Sequence, residues 1–434
     1  MLSTVDKKAA RQRLIRMHKT FGRKQTVVLI FLVICSPNFL FAQGTRIVPN
    51  QSPNDAQSPK ANSVRDGKAG TQVVDGKSPG EPQRRVIGPG QPPQPFPEAK
   101  AISQPKNNEE LEVAIKKLAD QLAKSGRFSG SIFFAADGKA LVNDAWGEAD
   151  RNSKTSNAPD TAYDTGSIGK LFTQIAAVQL AEAGKLDFED PIGKYLPDYP
   201  DTAIAKKVTI NQLLLHSSGI PDFLNNVTPG TKLESILALK DFLPLFAHKP
   251  LEFDPGSAKR YSNSGYIVLG LVIEAVSEEN YHTYVQRHIL EPAGMTHSGF
   301  FDRAHLPPFV ARSYENTEDV TNIHPRRGSP AGGLQASASD LFGLVQAINS
   351  GKLIKPQSVS LLRSMIPRPP DAPAPADPTK LTGYGIEGGA PGVSAQLVID
   401  PTGRYTRIVE CNGGPPMAMS MGATIREWIT GMPK

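Results

Sequence analysis

Apolar residues recur at helical spacing soon after Glu109, at Leu111, Val113, Ala114, Leu118, Leu122 and Ala123, which predicts an amphipathic helix. The pattern then shortens. Phe128-Ser-Gly-Ser-Ile-Phe-Phe-Ala, the dipeptide Asp137-Gly138 and Ala140-Leu-Val read as two strands joined by a tight turn, because Asp-Gly readily takes the backbone such turns need. Leu171 to Ala183 is apolar and alanine-rich up to Gly184 and predicts a buried helix; Tyr266 to Val276 predicts another. Strand patterns return at Ser394-Ala-Gln-Leu-Val-Ile-Asp and Tyr405-Thr-Arg-Ile-Val-Glu, linked by Pro401-Thr-Gly. Strands at both ends of a helical middle predict an α/β architecture of the α+β type. Its parts are one antiparallel β-sheet, completed by the two ends of the region and flanked by helices, and a mostly helical lobe. No repeat at solenoid or propeller periods is present.

The chain before this region has a different character. A basic run from Lys7 to Lys24 is followed by the apolar stretch Thr26 to Cys35 and then by Phe39-Leu-Phe-Ala42. This is the order of an export signal, with cleavage expected after Ala42; an uncleaved membrane anchor is the competing reading. Residues 43–107 hold 11 of the 38 prolines and seven glycines among polar residues. Such a stretch buries too little apolar area to offset its ordering entropy and reads as a tether. The predicted organisation is therefore a signal at 1–42, a tether at 43–107 and one catalytic-sized domain at 108–434. The net charge of +6 divides as +7, +4 and −5 over those three parts, so the excess positive charge lies outside the domain. A basic globular face for nucleic acid is excluded as the main reading. Cys35 would leave with the signal, and Cys411 alone offers no internal disulfide.

Two short motifs carry candidate chemistry. In Tyr163-Asp-Thr-Gly-Ser167-Ile-Gly-Lys170, the serine sits where a long apolar helix begins and the lysine follows on the same face. A buried lysine can lose its proton near neutral pH and activate a serine. The plain alternative is a helix cap and a solvated lysine; Ser103-Gln-Pro-Lys106 shows the spacing arising by chance. In Tyr261-Ser-Asn263, a phenol can shuttle a proton and an amide can hold both lysine and substrate. Here the alternative is a turn with an aromatic plug, as Tyr314-Glu-Asn316 illustrates.

In that order, with a Gly-rich run following, the motifs resemble the serine β-lactamase and penicillin-recognising hydrolase superfamily, closest to its class C β-lactamase-related branch. Gly184-Lys-Leu-Asp-Phe-Glu-Asp-Pro-Ile-Gly-Lys-Tyr-Leu-Pro197, Val208 to Pro221, Ile289 to Thr296 and Ala331 to Leu341 continue the likeness over roughly residues 108–430. The resemblance implies a β-lactamase/transpeptidase-like fold and acyl transfer without a cofactor. Ser167 would be the nucleophile, Lys170 and Tyr261 would share the base and acid roles, and Asn263 would orient Lys170 and the substrate. The backbone N–H groups of Ser167 and Gly389 would form the oxyanion hole. The implied partner is a small-molecule or peptide acyl substrate, with no nucleic acid, and with membrane contact only through an uncleaved N-terminal segment.

The third motif departs from the family pattern. Gly385-Ile386-Glu387-Gly388-Gly389-Ala390-Pro391-Gly392 carries Ile386 where the family has Lys or His. The change removes the usual partner for a substrate carboxylate, and Glu387 in the cleft would repel one. Ester or amide hydrolysis of an uncharged or cationic substrate is therefore expected ahead of β-lactam or D-Ala carboxypeptidase chemistry. The rival expectation is a binding or sensor domain that has lost turnover. His216 reads as a hydrogen-bonded structural histidine, and His282 with His288 lacks a metal-site pattern. No Gly-x-Ser-x-Gly elbow or phosphate loop occurs. Asp371 to Pro378 is a loop able to cover one wall of the site, and His324, Arg326 and Arg327 read as a solvated loop.

Overall fold

The computed structural model describes residues 93–228, 231–366, 375 and 377–433. The expected export segment, residues 43–92 of the tether and most of the Asp371–Pro378 loop lie outside them. Helix α1 (Asn108–Lys124) begins where the Glu110 N–H donates to the Asn107 side chain at 2.8 Å. Its buried stripe is Leu111, Ala114, Ile115, Leu118, Ala119 and Leu122. Val113 is 64% exposed, so Ile115 takes the place that the sequence pattern gave to Val113.

Strands β1 (Gly130–Ala136) and β2 (Lys139–Trp146) follow as an antiparallel hairpin. Asp137 and Gly138 both have positive φ, as that turn requires. At the other end of the chain come β3 (Tyr384–Ala390), β4 (Val393–Ile399) and β5 (Tyr405–Cys411). The five form one antiparallel sheet in the order β2-β1-β5-β4-β3, so the first hairpin is closed onto the last strand. In β1, Ile132, Phe134 and Ala136 join one core and Phe133 and Ala135 the other, so every residue of the strand is buried. That explains why the segment is apolar from Ile132 to Ala136 instead of alternating. Helix α1 and the C-terminal helix Met417–Gly431 pack on the first of these faces.

The second face carries the helical lobe. Lys170–Glu182 is buried on nearly all sides, and it packs against Asn263–Ser277, where Gln174 Nε2 donates to Tyr266 OH at 2.8 Å. The α+β arrangement expected from the sequence is the one observed. Two boundaries differ. The Gly-rich run 385–390 is edge strand β3 itself, and the turn lies beyond it at Pro391-Gly392. Residues 93–107, assigned by composition to the tether, are packed: Ala99 and Ile102 are buried, the Phe96 N–H donates to Thr424 Oγ1 at 2.9 Å, and Gln104 Nε2 donates to the Trp428 carbonyl at 2.8 Å. Pro97 opens a short 3-10 helix, Pro97–Ala101, since a proline is tolerated in the first turn, and Ala99 is buried from it. Among the described residues no helix is long and apolar enough to cross a membrane.

Glu410 of β5 is fully buried, and neither carboxyl oxygen has a hydrogen-bond partner among the described residues. Burial, reinforced by Asp340, raises its pKa well above the ordinary carboxylate range. The folded chain thus holds a proton there that the unfolded chain releases once pH exceeds the usual value. Stability is fully present below that value and falls as pH rises, by up to about 1.4 kcal/mol per pH unit. Glu410→Gln removes that slope. Melting temperatures of variant and parent are expected to diverge in the variant's favour from pH 5 to pH 8; a constant difference would mean that Glu410 is ionised in the fold.

Candidate active site

Ser167 is presented by a turn held from several sides. The two-residue strand Tyr163–Asp164 pairs with Gln335–Ala336, and Gly166 follows with φ of 52°. Residues Gly166–Gly169 form a 3-10 turn leading into the helix that starts at Lys170. Ser167 therefore precedes the helix proper, slightly ahead of the expected first turn. Lys170 Nζ still reaches back to Ser167 Oγ at 3.4 Å. Tyr261 OH lies 2.7 Å from the same Oγ, and Asn263 Oδ1 accepts from Lys170 Nζ at 2.8 Å. The four side chains expected to act together are brought together.

The Lys170 amino group also donates to the Ala331 carbonyl. It lies 4.7 Å from the Tyr261 ring centroid and 5.3 Å from that of Tyr266. Burial lowers its pKa to about 7, against an opposing pull from Asp222. Asn263 Oδ1 and Ala331 O accept only, so each requires an N–H from Lys170 in either protonation state. The direction facing Ser167 is the one that changes, from N–H in the ammonium to lone pair in the amine. Tyr261 stays protonated, because burial raises its pKa despite the bond to Ser167. Its ring stacks on His216 at 4.5 Å. The Ser262 N–H donates to His216 Nδ1 at 3.2 Å, and burial lowers the His216 pKa to about 3. His216 is thus a neutral, hydrogen-bonded support and not a base.

Strand β3 lies directly on the turn that carries Ser167. A Cβ on Gly388 would sit 1.9 Å from the Thr165 carbonyl, so only glycine permits this approach. The same contact sets Gly388 and Gly389 against Gly166 and Ser167, where the oxyanion donors are expected. Strand alternation sends Ile386 into the helical-side core and Glu387 to the opposite face. There Glu387 accepts from Gln396 Nε2 at 2.9 Å, and burial raises its pKa. The expected repulsion of a substrate carboxylate by Glu387 is therefore withdrawn; the apolar Ile386 remains.

An ion pair that the sequence did not reveal holds the turn from behind. The Gly166 N–H donates to Asp164 Oδ1 at 2.8 Å, and Arg303 Nη2 donates to Asp164 Oδ2 and to the Gly333 carbonyl. The Gly333 N–H returns to the Gly166 carbonyl at 3.0 Å. Burial pushes the Asp164 carboxyl up, but Arg303, His324 and the hydrogen bonds outweigh it and leave it below the ordinary range. The loop around Pro325 is less solvated than expected: Arg326 makes a two-pronged pair with Asp302 at 2.7 and 2.8 Å, and His324 Nε2 lies 3.0 Å from the Pro391 carbonyl. Tyr314 OH accepts from the Arg151 N–H at 2.8 Å, as a structural tyrosine would. Among the described residues no group of His, Cys, Asp and Glu is placed to hold a metal ion.

The Beta-lactamase family profile matches residues 115–429. The chain belongs to the Beta-lactamase family. The Bacillus subtilis protein named "Putative penicillin-binding protein PbpX" is 32% identical over 270 residues, covering 60% of this chain and 65% of its own length. The chain thus spans less than two thirds of that curated relative. The crystal structure of a penicillin-binding protein from Bacillus halodurans superposes with a TM-score of 0.62 at 29% identity, covering 70% of this chain and 97% of that one. EstCE1, described as a hydrolase with promiscuous acyltransferase activity, gives 0.60 at 21% identity over 74% of this chain and 99% of its own, a likeness of fold. These findings make the chain a β-lactamase-fold member of a serine hydrolase family.

Arg303→Met would leave the buried Asp164 charge without its partner. Denaturant unfolding is expected to show a loss of about 3–5 kcal/mol, with a smaller loss when Asp164→Asn is added. Equal losses in single and double variants would mean that the pair does not act as a unit.

Proposed function

We propose that this protein is an exported serine hydrolase that acts through an acyl-enzyme on Ser167, cleaving esters, amides or peptide bonds of uncharged acyl substrates. The observation that carries the reading is Ser167 Oγ, flanked by Tyr261 OH at 2.7 Å and Lys170 Nζ at 3.4 Å, with that lysine buried. In the neutral amine the Lys170 lone pair faces the Ser167 hydroxyl. Ser167 Oγ attacks the substrate carbonyl carbon while its proton passes to Lys170. The developing oxyanion takes hydrogen bonds from the Ser167 and Gly389 N–H groups, worth about 3 kcal/mol each in comparable sites. As the carbonyl carbon releases its leaving group, Tyr261 donates the proton that this group needs and recovers one from Lys170. Water then repeats the sequence on the acyl ester and frees Ser167. The chemistry needs no metal or organic cofactor.

Ile386 supports the preference among substrates. Family enzymes that bind a substrate carboxylate would meet it with a cation there, and an isoleucine supplies none. β-Lactam hydrolysis and D-Ala carboxypeptidase action therefore rank below simple ester and amide hydrolysis. The same residue favours the second reading, a β-lactamase-like binding or sensor domain without efficient turnover. The order of residues 1–42 supports export, with the mature chain starting at Gln43; N-terminal sequencing of the secreted protein tests that assignment against an anchor.

Intact mass after exposure to a fluorophosphonate is expected to rise by one adduct in the parent and not in Ser167→Ala. The second-order rate should climb with pH through about 7 and then level, because Lys170 must lose its proton to accept that of Ser167. Absence of labelling in folded protein would favour the binding-domain reading.

A further inference from the structure

Asp222 was not among the residues singled out by sequence, yet its carboxylate is the next group behind the Lys170–Asn263 contact. It is 9% exposed and lies just before the 3-10 turn Phe223–Asn226. Its Oδ1 accepts from the Leu224 N–H at 2.9 Å, which ties the carboxylate to its own turn. Its Oδ2 accepts twice from Asn263, from the backbone N–H at 3.0 Å and from Nδ2 at 2.8 Å. With Nδ2 committed to the carboxylate, the carbonyl end of the amide faces Lys170 Nζ. The reverse orientation would set an NH2 against the lysine and a carbonyl against a carboxylate. Both contacts would be repulsive, so the flanking charges leave the Asn263 amide one orientation.

We propose that Asp222 is a positioning residue of this site: its carboxylate fixes the Asn263 amide, and through that amide it holds the Lys170 nitrogen against Ser167. The inference rests on the acyl-serine reading above and adds the group that maintains its geometry. The chain of contacts is Leu224 N–H, Asp222, Asn263, Lys170 and Ser167, drawn from three separate segments of sequence. Asp222 also contributes charge. The titratable groups facing Lys170 are Tyr261 and Tyr266 from the segment 261–266, and His216 and Asp222 from the segment 213–222. Burial keeps both phenols protonated and the imidazole neutral. The facing groups of the nucleophile turn and of residues 329–333 are the Ser167 hydroxyl and the Ala331 carbonyl, neither of them charged. Asp222 is thus the charged partner that opposes the burial of Lys170.

The test uses the full chain and a fluorophosphonate probe, with the pH dependence of labelling as the readout. Asp222→Asn removes the charge and one acceptor lobe while keeping shape. Labelling is expected to slow about 10- to 100-fold, the scale of a small misplacement of a reacting group. The rising limb of the pH profile is expected to move to lower pH, because burial then acts on Lys170 unopposed. A purely structural role would lower the melting temperature and leave that limb in place. Asp222→Glu, which keeps the charge and displaces it, is expected to slow labelling with the limb where the parent has it. Should Asp222→Asn fail to fold, Asp222→Glu decides alone: parental labelling rate in that variant overturns the proposal. Parental rate and limb in folded Asp222→Asn overturn it as well. If the parent itself shows no Ser167-dependent labelling, the acyl-serine reading fails and the proposal falls with it, an outcome distinct from active parent with unaffected variants.

Discussion

The amino group of Lys170 is the point on which the site depends. An ammonium in water gains nothing from giving up its proton near neutral pH; taken out of water, it does. The fold achieves this by burying Nζ beneath the Tyr261 and Tyr266 rings, while the Asn263 and Ala331 oxygens fix its position without cancelling the loss of water. Those partners come from segments around residues 261–266 and 329–333, so the lobe must be assembled before the lysine is taken out of water. The same enclosure keeps Tyr261 protonated, so burial moves the two groups apart: it favours the neutral amine on Lys170 and the neutral phenol on Tyr261, the pairing that the proposed proton transfers need.

A second constraint is how closely backbone approaches backbone. Strand β3 and the turn that carries Ser167 touch through Gly388 and the Thr165 carbonyl, with no room for a side chain. The sheet edge is thereby registered on the turn, and the turn is registered on Gly333 and on Arg303 through Asp164. Ser167 is held from in front by strand and from behind by a buried ion pair. Such a pair contributes little net stability compared with apolar packing, but losing one half of it is costly, which suits a device for fixing geometry.

Much of this was legible in sequence because it is local or ordered. Ser167 with Lys170, and Tyr261 with Asn263, are short-range motifs on the elements that the apolar pattern predicted, and their order along the chain carried the family likeness. Asp222 and Arg303 were not legible, since a lone acid and a lone arginine acquire their meaning only from partners distant in sequence. The reading of Glu387 failed for a different reason. The motif alone left the direction of its side chain open; in a strand it must point away from Ile386. Val113 was misplaced by the tolerance of helical periodicity, which Ile115 satisfied equally well. Residues 93–107 show that a proline-rich composition describes backbone shape and says less about whether the few apolar side chains find a surface.

That packed segment has a mechanical consequence. Residues 96–104 are fastened to the C-terminal helix Met417–Gly431 through Thr424 and the Trp428 carbonyl, on the face of the sheet turned away from the helical lobe. Tension arriving along the chain from its N-terminal side would first load these contacts and then that helix. Ser167, Lys170 and Tyr261 lie beyond the sheet on its other face, so the first contacts to carry such a load are ones that none of these three side chains shares.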